Sequence, residues 1–295
     1  MRMVCQEGLE FLSEIPDKSV DLILTDAPYI TSRDSGMDKW VSHVEIQDRE
    51  ESPDIKTEKE WQELKTPEQW QEWFDKGNIE PDKREKKLLQ LKKDYIKYGS
   101  IYGKKYAVKT NYGDWDAEFT MEKLQLFIRH FYRVLRDGGV CIVFFDLWKL
   151  SYLKESLEEE RFKQIRFIEW IKTNPQPINS KRNYLTNCRE VALLGVRKGS
   201  STFNSSYDKA VYNYPIYGGK ERFHPTQKNL KLFEDLVQKH SNEGDLVLDC
   251  FLGSGTTAIA AYNTNRNFIG CELNKEFYQK ASQRLINRGI DFEGS

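Results

Sequence analysis

Short apolar runs that stop at an acid constrain this chain most. Val20-Asp21-Leu22-Ile23-Leu24-Thr25 stops at Asp26, Asp245-Leu246-Val247-Leu248 at Asp249, and Phe268-Ile269-Gly270-Cys271 at Glu272. Val140 to Phe145 is a fourth run, and Ile165 to Lys172 and Val191 to Arg197 read as further strands. Runs this short, bounded by turn residues, are the length of buried strands rather than helices. Helical patterning lies between them, over Gly8 to Ile15, Leu124 to Leu135, Tyr152 to Glu160, Asn229 to His240, a segment from Thr256, and Lys275 to Asn287. The Leu124 helix is predicted to stop at Asp137-Gly138-Gly139, and Gly199 to Arg222, rich in Ser, Tyr, Asn and Gly, reads as loop. Strands alternating with helices specify an α/β fold with a mostly parallel, doubly wound sheet covered on both faces.

Composition excludes several classes. Hydrophobic residues make up 39% of the 295, with seven Trp, fifteen Tyr and sixteen Phe, enough to bury a real core, so a disordered chain is excluded. The longest apolar run, Val140 to Phe145, is far short of the ~20 residues of a membrane span. The residues Met1 to Glu7 have no apolar stretch of signal-peptide length. Five cysteines without a C-x-x-C pair argue against a disulfide framework, a zinc ribbon or any metal site, and for a reducing cytoplasm. The expected organisation is one domain over 1–295, interrupted by a mainly helical insertion over 31–116. Within that insertion, Glu45 to Asp94 is rich in charged and amide residues and carries Trp61, Trp70 and Trp73 at helix-face spacing.

The chain's net charge of −1 hides a polarity. From Arg161 to Lys231, fourteen Lys/Arg stand against four Asp/Glu, a local net of +10. Scattered cations are often only a solvated face. Here they interleave with Tyr184, Phe203, Tyr207, Tyr212, Tyr214, Tyr217 and Phe223, which supplies cations for phosphates and rings for bases.

Two strand ends carry chemistry. Asp249-Cys250-Phe251-Leu252-Gly253-Ser254-Gly255-Thr256-Thr257 joins a buried strand to a helix, and its glycines allow a sharp turn and close approach of a ligand. Glu272 ends the next strand, where a carboxylate can accept both hydroxyls of a ribose. The third glycine of the dinucleotide fingerprint and the Walker lysine are both missing, which disfavours NAD and ATP. At the other strand end, Thr25-Asp26-Ala27-Pro28-Tyr29 reads on composition as a simple capped turn. It also suits an exocyclic amine conjugated to a base. The Asp26 carboxylate and the Ala27 carbonyl can accept its two N–H bonds and favour a pyramidal nitrogen, Pro28 keeps Ala27 extended, and Tyr29 offers a face for stacking.

Together these segments resemble the S-adenosylmethionine-dependent amino-methyltransferases of DNA, in the circularly permuted β class. The family's D-P-P-Y is similar to Asp26-Ala27-Pro28-Tyr29, and its F-x-G-x-G to Phe251-Leu252-Gly253-Ser254-Gly255. Its H-P-T-Q-K is met unaltered at His224-Pro225-Thr226-Gln227-Lys228, and W-x-K-T-N-P at Trp170 to Pro175. The resemblance covers about residues 1–30 and 112–288 and implies a Rossmann-like class I methyltransferase fold. It implies catalytic roles for Asp26, Ala27, Pro28 and Tyr29, with a base flipped out of duplex DNA. It implies a cofactor site of Cys5, Asp26, His224, Thr226, Lys228, Asp249, Phe251, Gly253, Gly255, Thr256, Glu272 and Asn274, with Thr226 and Lys228 near the cofactor carboxylate. It places DNA recognition within 174–222, so that Lys172, Asn174, Lys181, Arg182, Lys198, Lys209 and Lys220 are candidate DNA contacts. A homodimer and a partner restriction nuclease are further implications.

Three features depart from the pattern. Ala27 replaces the first proline of D-P-P-Y. Val4 stands where members often have an Asp, which leaves an adenine contact to the Cys5 backbone. The insertion is longer than usual. Asp at the first motif position favours adenine N6 as the target, with cytosine N4 as the nearest rival. A weakly active DNA-binding partner subunit and an RNA or protein methyltransferase are more distant rivals. Cytosine C5 chemistry is disfavoured because no cysteine follows a proline.

Overall fold

The computed structural model describes residues 1–28, 56–98, 101, 119–175, 187–216 and 227–294. The chain divides into two compact units, Met1–Thr31 with Asp114–Ser295, and Ser32–Gly113.

The larger unit is built on an eight-stranded sheet. Its strands are β1 (Arg2–Cys5), β2 (Val20–Asp26), β3 (Leu135–Phe145), β4 (Lys163–Lys172), β5 (Arg189–Val196), β6 (Val211–Tyr214), β7 (Leu246–Asp249) and β8 (Asn267–Glu272), in the order β1-β8-β7-β2-β3-β5-β4-β6. Only the β3/β5 and β5/β4 pairs are antiparallel. The central strands β2, β3 and β7 are buried on both faces, which is why their sequences run apolar without alternating.

Two helical layers cover the sheet. On one face lie α7 (Leu230–His240), α8 (Thr256–Asn263) and α9 (Lys275–Ile286), whose Leu232, Phe233, Ile259 and Leu285 share a core with Leu22, Leu24, Phe144, Ala192 and Trp170. On the other lie α1 (Gly8–Glu14), α5 (Met121–Val134) and α6 (Leu150–Glu159), whose Phe11, Phe127, Phe131 and Leu157 pack on Ile23, Val143, Phe145 and Leu248. Side chains two apart in a strand therefore share a face, and the α7–α9 face collects Leu22 and Leu24 of β2, Ala192 and Leu194 of β5, and Ile168 and Trp170 of β4.

Three local readings are corrected. The helix expected to run to Leu135 ends at Val134, because Leu135 is already extended and pairs with Val20. The glycines meant to stop it lie inside β3, where Gly138 at φ +82° sits beside the irregular register. The stretch Gly199 to Arg222, expected as loop, contains β6, which joins the sheet as a short parallel edge beside β4. Strand β1 was also unforeseen, since four residues carry too little pattern.

The smaller unit contains α2 (Glu58–Leu64), α3 (Pro67–Lys76) and α4 (Pro81–Tyr98). Thr57 and Thr66 start the first two with reciprocal capping boxes, and Pro67 sits at the first turn of α3. Its core is Trp61, Trp70, Phe74 and Leu91, with the Trp61 and Trp70 rings 5.1 Å apart and Trp73 edge-on to Trp70. The tryptophans thus pack against one another within the insertion.

Candidate active site

The chain directions bring one edge of the sheet together. Parallel strands β1, β8, β7 and β2 end there with Cys5, Glu272, Asp249 and Asp26. Antiparallel β5 begins there with Arg189 and Glu190, and β4 ends there with Lys172.

Asp249 builds the glycine turn. It is 2% exposed, and its Oδ1 accepts from Thr25 Oγ1 at 2.6 Å and the Phe251 N–H at 3.0 Å, while Oδ2 accepts from Thr257 Oγ1 at 2.6 Å. Burial pushes its carboxyl up, and these three donors oppose that. Gly253 and Gly255 follow at φ +51° and +74°, and Gly255 leads directly into α8. A Cβ on Gly255 would meet Leu285 at 3.0 Å, so this turn needs glycine for both conformation and space. Thr256 is buried and engaged with Ser254 and with Arg284, which also donates to the Ser254 carbonyl at 2.8 Å. The Phe251 ring packs 4.7 Å from that of Phe127.

Glu272 spans the turn. Its Oε2 accepts the Gly253 N–H and its Oε1 the Asn274 N–H, each at 2.8 Å. The Asn274 side chain caps α9 by accepting from the Phe277 N–H. Burial raises the Glu272 carboxyl and the two N–H donors oppose it. A carboxylate has about four acceptor positions, so acceptor capacity remains for a ligand hydroxyl. Cys5 is level with Glu272 in the neighbouring strand. A partly solvated carboxylate beside a left-handed glycine turn fits a nucleoside, and residues such as Asp249 and Thr256 shape that cradle from behind.

Asp26 is the end of a row of alternating charges. Lys228 Nζ lies 2.7 Å from Asp26 Oδ2 and 2.7 Å from Glu190 Oε2, and Lys172 Nζ lies 2.7 Å from Glu190 Oε1. Lys228 is 4% exposed and sits 5.7 Å above the Phe144 ring. Asp26 Oδ1 has no hydrogen-bond partner among the described residues. Burial raises the Asp26 carboxyl to about 6; Lys228 opposes this, while Glu190 and Asp249 add to it. Burial would also raise Glu190, but Lys228 and Lys172 together hold it below the usual carboxylate range. Ala27 is buried, and its N–H donates to the Phe144 carbonyl at 3.2 Å, extending the β2–β3 ladder by one bond.

The other expected residues separate. Lys228, expected near a cofactor carboxylate, is held between Asp26 and Glu190. Lys172 is committed to Glu190 rather than offered at the surface. Asn174 Oδ1 accepts the Ile216 N–H at 2.6 Å. Lys198 is exposed just beyond β5, at the end of the sheet opposite Asp26, and Lys209 is exposed before β6. Tyr29, Lys181, Arg182, Lys220, His224 and Thr226 lie outside the described residues. Glu190, Thr25 and Thr257 were missed. Glu190 was legible in principle, since it lies two and four residues before Ala192 and Leu194 on the buried face of β5.

A family model described as DNA methylase, of the N6/N4 methyltransferases, matches residues 90–283. Among curated proteins, type II methyltransferase M2.DpnII of Streptococcus pneumoniae is 32% identical over 198 residues, 60% of this chain and 73% of that protein. Type II methyltransferase M.HpaI of Haemophilus parainfluenzae is 30% identical over 214 residues, 64% of this chain and 68% of that one. Among solved structures, the M1.HpyAVI–SAM complex superposes with a TM-score of 0.58 at 25% identity, covering 96% of this chain and 98% of that one. The cytosine-N4-specific PvuII DNA methyltransferase gives 0.60 at 15% identity over 98% and 87% of the two chains, a likeness of fold.

Proposed function

From the premise that this chain belongs to the DNA methylase family, we propose that it methylates the N6 amine of an adenine flipped out of duplex DNA. It is a DNA methyltransferase whose cofactor is S-adenosylmethionine. The cofactor, when bound, supplies an electrophilic methyl group on a sulfonium. Glu272 accepts the ribose hydroxyls, the Cys5 backbone borders the adenine, and the turn from Phe251 to Gly255 lies along the methionine half.

One observation carries the reaction: among the described residues, Asp26 presents one buried carboxylate oxygen without a partner while Lys228 holds the other. Oδ1 accepts one N–H of the target amine and the Ala27 carbonyl accepts the second. Both bonds oppose delocalisation of the nitrogen lone pair into the ring. Tyr29 stacks on the flipped base, and a purine covers more of its face than a pyrimidine. The charged acceptor favours an amine held without help from a second ring contact, which supports adenine over cytosine.

DNA is the substrate, and we assign its recognition to 174–222, with Lys181, Arg182, Lys209 and Lys220 as phosphate contacts. Lys172 is better read as part of the active-site charge row. A homodimer and a companion restriction nuclease belong to the same reading. All five cysteines are unpaired, which suits a reducing cytoplasm; among the described residues no helix is long and apolar enough to cross a membrane. Transfer of labelled methyl groups to duplex DNA, single-stranded DNA and RNA tests the reading. Incorporation into duplex DNA that disappears in Asp26→Ala supports it; incorporation into RNA alone overturns it.

A further inference from the structure

We propose that Glu190 is a positioning residue for Asp26: it anchors the Lys228 ammonium so that Lys228 occupies Oδ2 of Asp26 and Oδ1 stays available to the target amine. This rests on the reading of Asp26 as the amine's acceptor.

The arrangement follows from strand periodicity. Asp26 lies two residues beyond Leu24, Glu190 two before Ala192, and Lys172 two beyond Trp170, so all three share the α7–α9 face at the same edge of the sheet. Lys228 reaches that face from the segment leading into α7, whose Leu232 and Phe233 pack on it. A lysine ammonium has three donors and no acceptor, and a flexible stem that does not by itself fix where the charge sits. Two carboxylates at 2.7 Å fix it here. Lys172 completes the row by taking the other oxygen of Glu190, so that carboxylate is held at both ends. Two acids and two lysines sum to zero, which is how a group of charges tolerates burial at this depth.

The row also sets how strongly Lys228 acts on Asp26. Among the described residues, the charged groups facing Asp26 are Lys228 from the segment before α7, Glu190 from β5 and Asp249 from β7. The negative charge of Glu190 lies nearby and offsets part of the ammonium's effect at Asp26. Neutralising Glu190 removes that negative charge and one of the carboxylates competing for the ammonium, and makes Asp26 a stronger acid. Removing the Lys228 charge makes it a weaker one. A residue that only filled space would do neither.

The test is a ¹³C NMR titration of the Asp26 side-chain carboxyl in the full chain labelled at aspartate Cγ, with the resonance identified by its loss in Asp26→Asn. Glu190→Gln should lower the titration midpoint and Lys228→Met should raise it. Glu190→Asp should return the midpoint towards wild type. In methyl transfer, the acid limb of kcat against pH should move in the same directions, and Glu190→Gln should lower kcat more than it raises KM for DNA. An Asp26 midpoint unmoved in either variant, or raised in Glu190→Gln, overturns the proposal. The NMR readout needs neither DNA nor cofactor. Wild-type protein that titrates as expected but transfers no methyl group would count against the function and not against the positioning. Should one variant fail to fold, the other still carries its signed expectation.

Discussion

Replacing Asp26 by asparagine should abolish methyl transfer and yet make the protein more stable at pH 8. Burial lifts the Asp26 carboxyl from its ordinary 3.8 to about 6 even with Lys228 beside it. The folded state therefore binds the proton more tightly than the unfolded chain. Stability is full at low pH and falls as the pH rises through the window from about 4 to about 6. At about 1.4 kcal/mol per unit, the ionised carboxylate costs the fold about 3 kcal/mol at pH 8. Asparagine resembles the neutral acid in size and charge, so Asp26→Asn recovers about that amount at pH 8, about half of it at pH 5, and almost nothing below pH 4. Paired urea unfolding curves at pH 8 and pH 5 measure this difference, and subtraction removes every other titrating group common to both proteins. An Asp26→Asn variant that is less stable than wild type at pH 8, or whose gain does not shrink by pH 5, refutes the reasoning. The expected result places Asp26 among residues that trade stability for activity.

Other perturbations have definite outcomes. Glu272→Ala removes the acceptor for the Gly253 and Asn274 N–H groups together with the proposed ribose acceptor, and should weaken S-adenosylmethionine binding by roughly 1–3 kcal/mol in a calorimetric titration. Ala27→Pro restores the family's residue but deletes the Ala27 N–H bond to Phe144. It should cost about 1 kcal/mol in urea unfolding while keeping or raising turnover. Neutralising Lys209 or Lys220 should flatten the salt dependence of duplex binding by about 0.9 in log–log slope per lost contact, whereas Lys198, at the far end of the sheet, should leave the slope unchanged.

The sequence made the central sheet legible because burial on both faces leaves β2, β3 and β7 with unbroken apolar runs, a signal that local pattern cannot hide. It failed at the edges. β1 and β6 are four residues each, and their pairing is decided by neighbours far along the chain. The shared location of Asp26, Glu272 and the glycine turn was legible because each sits where a strand ends, and strand ends in a parallel sheet gather at one edge. The ion pairs of Lys228 and Lys172 were not, because pairing across β2, β5 and the segment before α7 depends on register. Motif position alone sent Lys228 to a cofactor and Lys172 to DNA. Asp249 likewise reads from its motif as a ligand contact, but its oxygens are engaged by Thr25, Thr257 and Phe251, the first from a strand more than two hundred residues away.

In the proposed reaction Asp26 directs a methyl group onto the exocyclic amine of adenine. Enzymatic digestion of duplex DNA methylated by the purified protein, followed by mass spectrometry of the nucleosides, tests it most directly. N6-methyladenine is expected with the wild-type protein and unmodified nucleosides with Asp26→Ala. N4-methylcytosine in place of N6-methyladenine, or N6-methyladenine made at a normal rate by Asp26→Ala, would contradict it.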